Sequence, residues 1–243
     1  MIRKQIFTPL QKAIDATRRF YRRRKLARAV RRILRTVDLK RFEHFQKKYA
    51  NLSPDPGYSK YLDIEQRMLM TVQDVFLLRL HEARPLRILD IGTGCGYFPY
   101  ACQWYGHSVT GLDRDDIPMY NEITSFLNLD RCVAEVRRFE GLPDLGQRFD
   151  LITAIAVCFD RHSDPDVWGP REWQFFLSDL ATRHLEHDGR VFLRLNTRPD
   201  GANYSDELRE FFLSHGARVQ GPHVYFSSMR KFTERALATG LES

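Results

Sequence analysis

The chain has 243 residues, 43% of them hydrophobic, enough to bury a full core in one domain with appendages. No apolar run reaches the ~18–20 residues that span a bilayer, and the charged N-terminus lacks the hydrophobic segment of a secretory signal. Four cysteines (Cys95, Cys102, Cys132 and Cys158) show no C-x-x-C spacing, which points to a reduced, cytosolic compartment and away from a disulfide framework.

The net charge of +7 conceals an asymmetry. Residues 1–48 carry 17 Lys/Arg against 3 Asp/Glu, a balance of +14, and the remainder carries 21 against 28, a balance of −7. Residues 9–48 read as helical. Leu26, Val30, Ile33, Leu34 and Val37 form one apolar stripe, and Arg22, Arg23, Arg24, Lys25, Arg28, Arg31, Arg32 and Arg35 cover the other face. Such a helix can lie on an anionic membrane surface, bind nucleic-acid phosphates, dock on an acidic partner, or pack its stripe on its own domain.

Asn51–Gly57 holds two prolines and a glycine and reads as a boundary loop. The chain is thus expected to divide into a basic arm (1–50), a helical lead-in (51–85), a main domain (86–229) and a loosely held tail (230–243). A helix is expected over about 62–81, with Leu69, Val72, Val75, Phe76 and Leu80 inward.

Ile88, Leu89 and Ile91 form a short buried strand interrupted by Asp90. Gly92, Gly94 and Gly96 follow at spacing two, and Tyr97–Tyr105 reads as a helix closed by Gly106. Strand, glycine turn and helix N-terminus make a nucleotide-binding crevice at the carboxyl end of a parallel sheet. The dinucleotide fingerprint is G-x-G-x-x-G, and the spacing here departs from it. The next strand, Ser108–Asp113, ends in an acid.

Further strands are expected at Cys132–Val136, Arg148–Ala156 and Arg190–Asn196, with helices near 119–127, Arg171–Leu185 and Asp206–His215. Arg218–Phe226 suits the last antiparallel strands. The alternation is that of an α/β, doubly wound, mostly parallel sheet with helices on both faces and an antiparallel C-terminal strand.

The run Asp-Ile-Gly-Thr-Gly-Cys-Gly, residues 90–96, resembles the first motif of class I, Rossmann-like methyltransferases that use S-adenosylmethionine (AdoMet). The resemblance covers about 140 residues, from 87 to 226. The segment with Cys158-Phe-Asp, Trp168-Gly and Glu172-Trp173, and the strand ending in Asn196, is similar to a bacterial group of unsettled substrate associated with cell-envelope polysaccharides. The resemblance implies AdoMet as cofactor, with Gly92, Gly94 and Gly96 letting the backbone approach it. It also implies that Asp90 orients the loop or reaches the amino group, and that Asp113 holds the ribose. Many relatives cap adenine with an acid where this chain has Arg138, so Phe139 or Glu140 is expected there instead. Tyr58, Lys60, Tyr61 and Arg67 are candidates for a lid.

Substrate chemistry is expected on the loop after the fourth strand, residues 157–170. His162 is the favoured general base, because its ordinary pKa near 6.5 suits neutral pH, with Asp160 next. Asp164 and Trp168 are expected at the acceptor, and Trp173 in the core. No Asn-Pro-Pro-Tyr or Pro-Cys follows the fourth strand, which argues against adenine, glutamine and cytosine methylation. Asp160, Asp164 and Asp166 are the carboxylates a metal would need, and His184 and His187 lack the further ligands of a zinc site, so no metal is expected.

These readings give an O-methyltransferase for a sugar, another small molecule or a lipid-linked acceptor. It would be cytoplasmic, or peripheral at the inner face of the membrane through residues 9–48. The alternatives are an RNA methyltransferase whose arm contacts phosphates, a non-catalytic AdoMet-binding scaffold, and an NAD enzyme, which the glycine spacing disfavours.

Overall fold

A computed structural model describes residues 9–50, 59–157, 167–198 and 200–239. It forms two compact units, Met1–Arg79 and Leu80–Ser243.

The first unit is helical. One helix was expected over residues 9–48, but two form: α1 (Pro9–Leu34) and α2 (Leu39–Ala50). The break is local chemistry. Thr36 Oγ1 donates back to the Ile33 carbonyl (2.6 Å), and the Asp38 carboxylate accepts the Arg41 N–H (3.0 Å) as an N-cap. After a short 3₁₀ turn, α3 (Ile64–Leu77) is capped in the same way by Asp63, which accepts from the Gln66 N–H (2.9 Å). α1 packs against α3, and the stripe residues Val30, Ile33, Leu34 and Val37 are buried. Of the readings open for the arm, the stripe follows the last: it is packed within its own unit.

The second unit is a seven-stranded sheet. Its strands are β1 (Arg87–Ile91), β2 (Ser108–Asp113), β3 (Arg131–Val133), β4 (Phe149–Ile155), β5 (Leu185–Arg194), β6 (Arg218–Gln220) and β7 (His223–Phe226). The spatial order is β3-β2-β1-β4-β5-β7-β6. The first five are parallel, and β7 runs antiparallel to both β5 and β6. This is the doubly wound, mostly parallel architecture expected. The crossovers are carried by α4 (Tyr97–Trp104), α5 (Pro118–Phe126) and α6 (Pro170–Asp179). Right-handed crossovers put α4 and α5 on one face and α6 on the other. The order therefore reverses between β1 and β4, the switch point where such sheets bind ligands.

The third strand ends at Val133, three residues earlier than expected, so the segment leading to Leu142 is a loop. The helix expected to reach Leu185 stops at Asp179 and finishes as one π turn, Leu180–His184. Arg148 covers its last carbonyls, donating to Leu185 O (2.7 Å) and Thr182 O (2.6 Å). Buried Asp179 anchors the preceding loop from this turn. It accepts the Leu142 N–H (2.9 Å) and Arg183 Nη1 (2.8 Å), and His184 Nε2 stands 3.6 Å away.

α7 (Asp206–Ser214) is capped by Ser205, whose hydroxyl accepts the Leu208 N–H. Residues 230–239, expected as a loose tail, instead form α8 (Arg230–Thr239). Phe232 is fully buried there, with ring contacts to Phe226 (5.6 Å), Phe211 and His215.

Candidate active site

The site begins where β1 stops. Asp90 is almost fully buried, in register between Gly111 of β2 and Thr153 of β4. A carboxylate inside a sheet must find donors. Here Thr153 Oγ1 donates to Oδ1 (2.7 Å) and Thr93 Oγ1 to Oδ2 (2.9 Å). Asp90 thus ties the glycine loop to the neighbouring strand.

Gly92, Gly94 and Gly96 are all left-handed, with φ of +70°, +54° and +78°. A Cβ on Gly96 would sit 2.2 Å from Leu129 Cδ1, so a larger residue there must displace that side chain as well as adopt a left-handed backbone. Gly94 differs. A Cβ there would meet nothing nearer than Tyr120 at 4.0 Å, so its backbone borders open space. Asp113, at the end of β2, faces it: Oδ2 accepts the Gly94 N–H (2.6 Å) and Oδ1 the Arg114 N–H (2.8 Å). Thr124 of α5 closes the far side, donating to the Gly94 carbonyl (3.1 Å). A bare stretch of backbone beside a half-exposed carboxylate is a cradle for a nucleoside, and these residues fit AdoMet.

On the other side of the loop, Val157 follows β4. A Cβ on Gly92 would lie 2.3 Å from Val157 Cγ2. Val157 also lines a cavity of about 40 Å³ at the carboxyl ends of β4 and β5, with Trp168, Trp173, Asn196, Arg198, Asn203 and Tyr204 among its walls. This space is room for about three waters. One side chain therefore separates the glycine loop from the cavity.

Trp168 is at the cavity wall but 4% exposed, with edge-on contacts to Trp173 (5.5 Å) and Phe176 (5.6 Å). Trp173 is buried, as expected. Arg198 Nη2 lies 3.5 Å from Asp200, and Asn203 Nδ2 donates to Thr197 Oγ1 (3.3 Å). His162, Asp160, Asp164 and Asp166 lie outside the described residues, but the residues flanking that stretch, Val157 and Val167, both line the cavity. Among the described residues no His/Cys/Asp/Glu cluster could hold a metal.

Phe139 is left-handed (φ +54°), half exposed, and edge-on to Phe175 of α6 (5.9 Å). Glu140 is exposed beside Arg137 (3.8 Å). Of the lid candidates, Tyr58 lies outside the described residues. Lys60 and Arg67 both stand over the Tyr61 ring, at 5.1 and 4.8 Å, within the first unit. The sequence reading missed Thr93, Thr153, Val157, Arg198, Asn203 and Tyr204. Only Thr153 carried a signal, as the one hydroxyl in the apolar strand beside the Asp90 strand.

A seven-stranded sheet in this order, with a glycine turn at its switch point and an acid one strand away, defines a class I AdoMet-dependent methyltransferase fold. Residues 18–243 match the family described as "Methyltransferase domain", and the chain belongs to that family. It is an AdoMet-dependent methyltransferase.

The chain is similar to several solved structures. DesVI of Streptomyces venezuelae is 13% identical, with 65% of this chain and 89% of that one covered and a TM-score of 0.47. The CcbJ methyltransferase of Streptomyces caelestis is 17% identical, with 56% and 51% covered and a TM-score of 0.41. A putative O-methyltransferase from Nostoc punctiforme is 18% identical, with 65% and 56% covered and a TM-score of 0.45. The chain thus spans about half the length of the last two. No curated protein sequence matches it.

Proposed function

We propose that the protein methylates a hydroxyl of a small acceptor, a sugar or a lipid-linked molecule, whose reacting hydroxyl enters the cavity beside the glycine loop. The observation that carries this is the double position of Val157, against Gly92 on one side and on the cavity wall on the other. Donor and acceptor sites that share one wall can align for in-line displacement. The aromatic walls and the amide, guanidinium and phenol groups of Asn203, Arg198 and Tyr204 suit a hydroxylated ring.

AdoMet, when bound, supplies the methyl group on its sulfonium. The chain's own part is to hold it and to prepare the acceptor. The Gly94 backbone would admit the nucleoside, and Asp113 would hold its ribose hydroxyls while keeping the Gly94 N–H. Phe139 and Glu140 would serve the adenine. Trp168 and Asp164 would contact the acceptor. His162, or Asp160 in its place, would take the hydroxyl proton as the methyl group passes from sulfur to oxygen, the sulfonium leaving as a neutral thioether.

The test is calorimetry with AdoMet, followed by a labelled-methyl screen of sugars, lipid-linked saccharides and RNA. Label in a hydroxylated small molecule is the expected result. Label in RNA alone, or AdoMet binding with no acceptor methylated, overturns the reading.

A further inference from the structure

Some of the surface arginines are paired with carboxylates and others are not. In the second unit Arg87, Arg114, Arg137, Arg183 and Arg198 each stand within ion-pair distance of a carboxylate. On α1 the side chains of Arg28, Arg31 and Arg32, and that of Arg35 in the turn just after it, are exposed and find no carboxylate among the described residues. At 3.6 residues per turn, these four fall within about 100° of arc. That arc lies opposite the buried stripe of Val30, Ile33, Leu34 and Val37. It runs about 10 Å along the axis. A row of unneutralised, uniformly exposed cations repels itself, and a partner that brings the anions relieves it.

We propose that this face of α1 is a docking surface for an anionic lipid bilayer, held by charge alone and without insertion. A cluster of four to eight Lys/Arg on an amphipathic helix is the chemistry that recognises acidic headgroups. Guanidinium groups match phosphate oxygens bidentately. An inserting helix must present its apolar face to the acyl boundary, and here that face is buried against α3's unit. Single-stranded RNA is gripped by aromatic platforms interleaved with the cations, and residues 24–35 contain no aromatic side chain. The contact is therefore expected to vanish with salt and to ignore neutral lipid.

The experiment is flotation of the full chain with phosphatidylcholine vesicles containing about 30% phosphatidylserine, and with phosphatidylcholine alone, at about 0.1 and 0.5 M salt. The comparison protein carries Arg28→Gln, Arg31→Gln, Arg32→Gln and Arg35→Gln. The expected result is binding to the acidic vesicles at low salt only. Each guanidinium removed weakens it about fivefold, so the four together weaken it several hundredfold. An unchanged melting temperature and AdoMet affinity show that the variant is folded. Equal binding to neutral vesicles, equal binding by the variant, or no binding to either vesicle overturns the proposal.

Discussion

Asp113→Asn tests the cofactor site with the least change of shape. Asp113 accepts two backbone N–H groups, from Gly94 at 2.6 Å and Arg114 at 2.8 Å. An asparagine has one acceptor oxygen. It can keep one of these bonds, but its NH₂ then faces the other N–H, donor against donor. A hydrogen bond to a charged group contributes about 1.5–3 kcal/mol. Asp113 is half buried, so the lower end applies, about 1.5 kcal/mol for the lost loop bond. A similar amount goes with the ionic contact to the ribose hydroxyls. Together these are about 3 kcal/mol, or roughly a hundredfold in Kd. Titration calorimetry with AdoMet and with its demethylated product reads this directly, and both ligands should weaken alike, because the ribose is common to them. A thermal melt of the variant separates loss of binding from loss of fold. A Kd within about threefold of wild type, in a protein that melts normally, would refute the role given to Asp113.

Gly96→Ala places a residue at φ +78° with its Cβ 2.2 Å from Leu129 Cδ1. The left-handed penalty of about 1–2 kcal/mol plus displacement of Leu129 should lower the melting temperature by about 6–8 °C, and an unchanged melt would count against the loop geometry. Phe232→Ala removes a fully buried ring and should cost about 3–5 kcal/mol in urea unfolding, whereas a loosely held tail would lose almost nothing. Burial alone would raise the Asp179 pKa, but His184, the Leu142 N–H and Arg183 outweigh it and hold the carboxyl below its ordinary 3.8. A depressed carboxyl stabilises the fold above that value, and the contribution is lost as pH falls through the folded-state pKa. Wild type should therefore lose stability below about pH 4 more steeply than Asp179→Asn, measured by denaturation across pH 2–7. Parallel acid limbs would refute the bracket.

The strand-turn-helix from Arg87 to Trp104 and the acid at Asp113 were legible because their chemistry is local. A short apolar run must be a buried strand, and glycines at that spacing must be a left-handed turn. The break between α1 and α2 was not legible, since Val37 continues the apolar stripe and so masks Asp38 as a cap. The stripe itself predicts burial but does not name what covers it, and α3 supplies that from thirty-odd residues away. The tail was misread because a helix with one large buried ring, Phe232, shows little periodicity. The cavity was the least visible feature. Its walls come from the end of β4, a tryptophan before α6 and the loop ahead of α7, which meet only through the strand order.

The sheet is bounded on both flanks by strands of three residues, β3 and β6. On β6, Arg218 and Gln220 are exposed. So short a border leaves few amides and carbonyls for a foreign strand to zip onto, and a charge stands at one of them. The central strands carry buried apolar residues such as Ile88, Leu89, Ile152, Val191 and Leu193 that would propagate readily if bare. Flanked this way, the protein should stay dispersed at concentrations where a longer, flatter margin would seed fibrils.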